Sequence, residues 1–383
     1  MSGLKRTLRK SNIFSNFVTS HPSLVTRHEK MSNLNELIFF SSFLVFIALM
    51  LAIDLGFFQK KSHALSFREA LTWTLVWVGI SIGFYFLIRY HGNWIHGSDT
   101  LAEIQARIDK FQHPITITGL GVQEAIDLYN KNLSLEYITG YLIEYSLSVD
   151  NVFVIVMIFI SFNIQPKYFK RVLFWGIVGA VIMRFIFIFA ASALIQRFAW
   201  FLYVFGVMLV IIGLHMAWDF LFGKKDRQID TEKHPVVRLV SRFFNVSHDE
   251  HAESFFLRKE GKLFVTPLFI VLMIIEFTDV LFAVDSVPAV FSVTQDPYIV
   301  FFSNIFAILG LRSLFFLVMD VMGRFHYLKM GLAALLFFVG VKMLLHDISK
   351  IPTDISLVII ASILLASVIA SQVRNVLIRR RNA

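Results

Sequence analysis

The chain has 383 residues, of which 56% are hydrophobic and only 16% are charged, and 42 of them are phenylalanine. Soluble domains carry roughly 45–50% apolar and about 25% charged residues, so these proportions predict a polytopic membrane protein and exclude secreted, fibrous and disordered classes. The chain has no cysteine, which excludes disulfides and thiolate metal sites. Its net charge of +9 indicates basic cytoplasmic loops rather than a nucleic-acid partner.

Apolar stretches long enough to cross a bilayer follow one another along the chain, with no signal peptide before the first. Nine such stretches lie near residues 37–57, 70–89, 134–162, 171–195, 198–222, 263–293, 298–319, 326–345 and 354–375. The third and the sixth are longer than a straight span requires, so we expect each to tilt or to break in the middle. The predicted fold is therefore an all-α polytopic membrane protein with about nine transmembrane helices.

Charged residues in the loops predict the orientation. The basic set comprises loops 58–69, 163–171, 223–262 and 320–329 and the C-terminal tail, whereas 98–133, 294–297 and 346–354 are balanced or acidic. Because cytoplasmic loops carry the excess of Lys and Arg, this alternation places the N-terminus outside and the C-terminus in the cytoplasm. The basic extension 1–36 breaks the pattern, so either translation starts at Met31 or a basic tail is tolerated outside.

Two long segments between the predicted spans are polar rather than apolar. Segment 98–133 places Ile104, Ile108 and Phe111 at helical spacing among charged residues, which predicts an extracytoplasmic amphipathic helix. Loop 223–262 is rich in charge and contains His248 and His251 three residues apart. This pair either shares a metal or belongs to a solvated charged loop, and the second interpretation is favoured.

An internal repeat follows the two leading spans of residues 37–97. Glu144-Tyr-Ser-Leu-Ser-Val-Asp150-Asn151 and Asp279-Val-Leu-Phe-Ala-Val-Asp285-Ser286 both place carboxylates six residues apart, before a small polar residue. The parallel continues in the next two spans, where the matching pairs are Gly179 and Gly310, Arg184 and Arg312, and Gly213-Leu-His-Met and Gly340-Val-Lys-Met. Because three spans repeat, the second copy starts from the opposite side of the membrane. Residues 134–222 and 263–345 are thus predicted to form an inverted repeat, as in many secondary transporters, before the final span and basic tail of 346–383.

Carboxylates near the centres of the repeated spans are the candidate functional groups. They are Glu144, Asp150, Glu276, Asp279 and Asp285. Each costs roughly 2.5–3.5 kcal/mol at the bilayer centre, so partners are expected, and Arg184 and Arg312 are the candidate counter-charges. Five acids against two arginines leave an excess of about three negative charges. A divalent cation with shared protons would neutralise this excess, whereas purely structural ion pairs are the alternative.

The donor types indicate which ion would bind. Carboxylates, the amide of Asn151 and the hydroxyl of Ser286 are hard oxygen donors, suited to Mn²⁺, Mg²⁺ or Ca²⁺. Positions six apart on an unbroken helix differ by about 120° in direction. Both acids of a segment therefore meet one ion only if the helix unwinds, which Pro288 favours in the second copy. Asp54, at the end of the first span, is either an interfacial acid or an inner gate.

The two acidic segments, continued as Val-Phe153 in the first and Val-Pro288-Ala in the second, resemble the paired signatures of the TerC family. Gly310-Leu-Arg312-Ser and Asp54-Leu-Gly56 look like further motifs of that family, and the similarity covers about residues 37–375. The family is named for tellurium resistance, and its Alx-like branch is associated with manganese export. The resemblance thus implies a bacterial inner-membrane protein that exports Mn²⁺.

Transport against a gradient needs an energy source, and the chain has no Walker-type motif for ATP. Proton antiport is the expected mechanism, with metal ion and protons as the ligands, the bilayer as surroundings and Glu276 as the proton carrier. A stress-response scaffold without transport activity is the alternative that the tellurium name suggests. An aspartyl protease is disfavoured because no Gly-x-Gly-Asp element accompanies the acids, so neither enzyme activity nor a resident cofactor is expected.

Overall fold

The structure is a computed structural model that describes residues 22–59, 66–162, 164–198, 200–222, 242, 244–246, 254–259, 262–321, 327–345 and 351–382. The side chains of some residues inside these helices, including Asp54, Asp150 and Asp285, lie outside that description. The helices are α1 Pro22–Gln59, α2 Phe67–His91, α3 Asn93–His96, α4 Leu101–Phe111, α5 Val122–Ser161, α6 Pro166–Arg197, α7 Phe201–Phe222, α8 Pro267–Phe291, α9 Pro297–Leu309, α10 Leu311–Val321, α11 Leu328–Leu344 and α12 Thr353–Asn382. The chain is therefore an all-α polytopic membrane protein, as predicted.

The number of spans differs from the predicted nine. Within the described residues, seven helices are long and apolar enough to cross a membrane, and α9 with α10 makes an eighth, bent by 43°. The predicted span that is missing from this count is the eighth, 326–345, which corresponds to α11, and its 17 residues fall short of the roughly 20 that a straight crossing requires.

Local sequence signals place several helix starts. Ser66 caps α2 and Thr100 caps α4, each in a capping box with the glutamate three residues later. Helix α4 is the predicted amphipathic helix, and its apolar residues Ile104, Ile108 and Phe111 are buried. Segment 98–133 also contains the start of α5, which begins at Val122, twelve residues before the predicted span.

The two long helices are unbroken, which contradicts the predicted unwinding at the carboxylates. Helix α5 has 40 residues and measures about 60 Å at 1.5 Å per residue, twice the thickness of the hydrocarbon core. Helix α8 runs continuously through Pro288, which lies three residues from its end, where few helical hydrogen bonds remain to be lost. The break occurs instead in the seventh span, where Gly310 separates α9 from α10.

Contacts between the third spans of the two copies support the repeat. A Cβ atom placed on Gly213 of α7 would lie 2.8 Å from the carbonyl oxygen of Ala333 in α11. A Cβ atom on Gly340 of α11 would lie 2.8 Å from the carbonyl oxygen of Gly206 in α7. Gly213 and Gly340 are the aligned glycines, and each contacted residue lies seven positions before the other copy's glycine. The two helices therefore cross in antiparallel fashion about a local two-fold relation, as an inverted repeat requires.

We expect Gly340→Ala to lower stability by about 1–3 kcal/mol, because the added methyl group meets backbone atoms and α7 must move away from α11. Gly83→Ala is the matched control, since nothing lies within 4 Å of a Cβ atom at that position. The midpoint of thermal unfolding in detergent measures both variants. Equal midpoints for the two would contradict the close crossing.

The loops lie at the two ends of the helical bundle. The balanced or acidic loops meet at one end, and loops of the basic set meet at the other. At one end, a cavity is lined by Gln112, Thr294, Gln295 and Thr353, which come from the three loops predicted to be outside or border them. At the other end, Lys170 lies within electrostatic range of Glu69, and both come from the basic set. These ends are called the outer and inner ends below.

Part of the charged loop 223–262 forms a small sheet that the sequence analysis did not predict. Strands β1 Asn245–Val246, β2 Phe256–Lys259 and β3 Lys262–Val265 lie in the order β1-β3-β2, with β1 parallel and β2 antiparallel to β3. Thr266 follows β3 and precedes α8, so the sheet leads directly into the second copy. His248 and His251 lie outside the described residues.

Candidate cation site

An ion pair between the first two spans of the repeat lies at the centre of the bundle. Glu144 of α5 and Arg184 of α6 are both fully buried, and Arg184 Nη1 donates a hydrogen bond to Glu144 Oε1. Arg184 Nη2 lies 3.6 Å from Asp279 Oδ1 of α8, the thirteenth of that helix's 25 residues. Arg184 thus links the first copy to the carboxylate at the middle of the second copy.

Asn304 completes this central group and was missed in the sequence analysis. Its side-chain oxygen accepts a hydrogen bond of 2.5 Å from Arg184 Nη1, and its amide nitrogen donates to the Val300 carbonyl oxygen at 2.9 Å. A signal was present in the sequence, because Asn304 is the amide residue within the apolar run of α9. A polar side chain inside a membrane span is by default a candidate functional residue.

Several buried polar atoms around the ion pair have no hydrogen-bond partner among the described residues. They are Glu144 Oε2, Asn151 Nδ2, Asp279 Oδ2 and Ser286 Oγ. A buried polar group left without a partner costs about 1–3 kcal/mol, more when it is charged. The four groups are therefore candidate donors for a cation, and Asn151 would serve as a donor with its amide oxygen turned towards the ion.

The unbroken helices decide which predicted ligands share a face. Glu144 and Asn151 are seven residues apart on α5, and Asp279 and Ser286 are seven apart on α8, so each pair lies on one side of its helix. Positions 150 and 285 are turned by about 120° from the first acid of each segment. The side chains of Asp150 and Asp285 lie outside the described residues, and their predicted role as ligands stays a prediction.

The structure does not bring together a ready-made carboxylate cluster. Among the side chains that it describes, no three His, Asp or Glu residues lie close enough to hold a metal ion. The described donors are instead two carboxylates, one amide and one hydroxyl, from α5 and α8. This mixed oxygen set matches the predicted preference for a hard divalent cation.

A cavity, called the inner cavity below, borders this group. Its lining contains Asn151, Asp279 and Arg312 among apolar side chains from the inner halves of α5 and α6, the first half of α10 and the middle of α8. Arg312 is buried directly after the bend at Gly310, and Lys170 near the inner end lies within its electrostatic range. Arg312 therefore lines this cavity, whereas Arg184 forms the central ion pair.

Glu276 lies one turn before Asp279, on the side of α8 that packs against α6. Its carboxylate occupies the space beside Gly179, where any Cβ atom would collide with it. The two acids are close enough for the Asp279 charge to act on Glu276. Gly179 thus makes room for a half-buried carboxyl group next to the central site, as a proton carrier would require.

A second polar cluster, at the outer end, was also missed. His96 Nε2 lies 2.7 Å from Asp296 Oδ2, and His113 Nδ1 lies 2.8 Å from Glu136 Oε1. All four side chains are fully buried. In the sequence these residues stand up to 200 positions apart, in two connections between spans and in one span, so local patterns gave no reason to connect them.

Comparisons with known proteins place the chain among integral membrane proteins. The family model described as "Integral membrane protein TerC family" matches residues 129–382. An uncharacterized membrane protein of Myxococcus xanthus, STKORF319, is 40% identical over 335 residues, which cover 88% of this chain and 92% of the relative. Alx of Escherichia coli (strain K12), named as a candidate membrane-bound redox modulator, is 39% identical over 345 residues, covering 88% of this chain and 95% of Alx. No solved structure matches the chain.

Proposed function

The chain belongs to the TerC family of integral membrane proteins, and on that premise we propose that it exports a divalent metal cation in exchange for protons. Mn²⁺ is the expected cargo, because the donors are hard oxygen groups and the family resemblance points to that metal. The proposed location is a bacterial inner membrane, with the C-terminus in the cytoplasm. Neither enzyme activity nor a resident cofactor is part of the proposal.

One observation carries this proposal: buried carboxylate, amide and hydroxyl groups without hydrogen-bond partners among the described residues lie around the Glu144–Arg184 ion pair, which faces Asp279 of the second copy. Glu144 and Asp279 each keep one oxygen without a hydrogen-bond partner among the described residues. Structural ion pairs alone would leave these atoms unsatisfied in the interior, which is costly. An arriving cation would satisfy them, and this favours a transport site over purely structural pairing.

Alternating access follows from the arrangement of the two copies. The inner cavity reaches Asn151 and Asp279, whereas the outer cavity ends at Glu136, eight residues before Glu144 on α5. Eight residues of helix correspond to about 12 Å of closed packing on the outer side of the site. In this proposal the described conformation corresponds to an inward-facing state, and exchange of the two copies' positions would open the outer side.

Arg184 provides a tethered positive charge for the return step. Its guanidinium pairs with Glu144 and lies near Asp279. A cation entering from the inner cavity would compete with Arg184 for these carboxylates, and Asn304 offers the guanidinium an alternative acceptor. Protons taken up when the metal leaves would neutralise the remaining acids, with Glu276 as the proposed carrier.

Metal and proton fluxes in proteoliposomes test the proposal directly. We expect Mn²⁺ to be moved in preference to Ca²⁺, Mg²⁺ and Zn²⁺, and an enclosed pH dye to report proton movement in the opposite direction. An imposed gradient of one pH unit supplies about 1.4 kcal/mol per proton and should drive Mn²⁺ accumulation. Protein-free liposomes are the control.

Two outcomes would contradict different parts of the proposal. Full Mn²⁺ movement without any pH change, and without a response to an imposed pH gradient, would eliminate antiport and leave a uniporter or another counter-ion. No metal movement would favour a scaffold function. The redox role in the name of the Alx relative would need a cofactor or partner here, since the chain has no cysteine for thiol exchange.

A further inference from the structure

The outer cluster joins separate parts of the fold through two histidines. His96, between α2 and α4, contacts Asp296 at the start of α9 through Nε2 and faces Glu36 of α1 at 3.7 Å through Nδ1. His113, after α4, contacts Glu136 of α5. Both imidazole rings therefore hold the outer segment between α2 and α5 against neighbouring spans.

Glu136 also ties α5 to the connection between α8 and α9. Its Oε2 accepts a hydrogen bond of 2.7 Å from Thr294 Oγ1, and its Oε1 accepts one of 2.7 Å from Asn132. Thr294 in turn accepts a 3.2 Å hydrogen bond from the backbone of Asp296. The Glu136–Thr294 bond is thus the direct link between the first span of one copy and the connection within the other.

Below this link, α5 packs closely against α8 and α9 around Gly140. This contact, called the outer seam below, closes the outer path to the central site. Gly140 lies midway between Glu136 and Glu144 on α5, and a Cβ atom there would be 2.9 Å from both Ser303 Oγ and Val290 Cγ1. At this seam α5 contacts α8 and α9 too closely for an ion to pass. Opening it requires the α8–α9 connection to move away from α5, which the Glu136–Thr294 bond opposes.

The charge balance of the cluster depends on protons. The charged and titratable groups that face the two histidines are Glu36, Arg107, Tyr129, Glu136, Asp296, Tyr298 and, across the outer cavity, Lys342. When both imidazoles are protonated, they and Arg107 carry three positive charges, which balance the carboxylates of Glu36, Glu136 and Asp296. Lys342, across the cavity, is left out of this balance. With both imidazoles neutral, Arg107 alone opposes three carboxylates, of which Glu136 and Asp296 are fully buried, and buried uncompensated charge is costly.

Two details show that protons can reach and leave this cluster. Glu36 and Arg107, 2.9 Å apart, keep 14% of their side-chain surface exposed and border the buried groups. His113 Nε2 is buried without a hydrogen-bond partner among the described residues. That nitrogen is therefore open to a further hydrogen bond while Nδ1 keeps its bond to Glu136.

We propose that the His96–Asp296 and His113–Glu136 pairs form a proton-binding site that locks the outer seam while it is occupied. Deprotonation leaves the carboxylates in excess, so Glu136 and Asp296 separate, the bond to Thr294 breaks and the seam at Gly140 opens. This inference deepens the proposed transport function, because it assigns control of the outer end of that pathway to protons from the outer solution.

The pH range follows from His96. Burial alone would lower its pKa, but the charge and hydrogen bond of Asp296, with Glu36, hold the pKa above the ordinary value of about 6.5. A raised pKa in the closed state means that protonation stabilises this state at low pH. The stabilisation is lost as the pH rises through the raised value, so the outer seam opens on the alkaline side.

Single-cysteine labelling tests this lock, because the natural chain has no other thiol. Ser303→Cys reports on the seam, and Trp94→Cys, at a position 52% exposed at the outer end, reports the intrinsic pH dependence of the reaction. A membrane-impermeant maleimide is added outside proteoliposomes between pH 6 and pH 9. The ratio of the Ser303→Cys rate to the Trp94→Cys rate should rise with pH, approaching tenfold per pH unit for each proton released.

Histidine variants assign the effect to the cluster. His96→Gln and His113→Gln, each in the Ser303→Cys background, should give ratios that respond less to pH, with the His96→Gln ratio near the alkaline value of the parent. His91→Gln is the matched control, since His91 lies at the same end but stacks on Trp94 outside the cluster. If His96→Gln does not fold, Asp296→Asn is the alternative, because asparagine can still cap the N-terminus of α9. This variant should move the increase in the labelling ratio to lower pH.

A ratio that does not change with pH would overturn the lock, as would unchanged profiles in both histidine variants or a lost response in His91→Gln. Mn²⁺ flux measured in the same liposomes separates this inference from the proposed function. A pH-dependent ratio without Mn²⁺ movement would retain the lock and reject transport. Mn²⁺ movement with a constant ratio would retain transport and reject the lock.

Discussion

Glu144→Gln is expected to abolish metal transport while the protein still inserts and folds. Glutamine keeps the size of the side chain and can still accept a hydrogen bond from Arg184, but it removes the charge that pairs with the cargo. Loss of an outer-shell partner costs roughly 10–100-fold in metal affinity, so the loss of a direct ligand should cost at least that much. Mn²⁺ flux in proteoliposomes measures the effect.

Asp127→Asn is the matched control for this variant. Asp127 lies on the same helix, but its ion pair with Arg89 is 62% exposed on the aspartate side, and such surface pairs contribute little. Asp150→Asn and Asp285→Asn are expected to abolish transport as Glu144→Gln does. Normal flux in purified Glu144→Gln would rule out the central position of this carboxylate, and normal flux in either aspartate variant would rule out that residue as a ligand.

Arg184→Gln is expected to destabilise the protein by about 3–5 kcal/mol, because it leaves Glu144 as an uncompensated buried charge. The double variant Glu144→Gln with Arg184→Gln removes both charges and should recover most of that stability. It should not recover transport, since the cargo then lacks its carboxylate. Thermal unfolding in detergent and Mn²⁺ flux, measured on all three variants, separate the structural role from the transport role.

Arg312→Gln provides the comparison for the second arginine. Arg312 lines the inner cavity, whereas Arg184 bonds directly to the fully buried Glu144, so loss of Arg312 should weaken transport with a smaller change in stability. Equal stability of Arg184→Gln and Arg312→Gln would contradict the central ion pair. Full transport in the double variant would show that neither member of that pair takes part in moving the ion.

The sequence by itself determined the class of the protein, most of its spans and the identity of the candidate site. Apolar length, loop charge and the two acidic segments are local properties, each contained in a short stretch of chain. A bilayer-spanning helix satisfies its backbone hydrogen bonds within itself, so hydropathy alone predicts it. For the same reason Glu144, Asp279 and Arg184 stood out as charged residues inside apolar runs, before any contact between them was known.

The tertiary structure alone decided which of these groups meet. Arg184 bonds to Glu144 across 40 residues and to Asn304 across 120, and His96 bonds to Asp296 across 200. Such pairs depend on which helices pack together and how each is rotated, and no local period encodes either. The predicted unwinding failed for a related reason: it assumed that both acids of a segment share one ion, whereas the helices stay continuous and the carboxylate that Arg184 connects to Glu144 is Asp279 of the opposite copy.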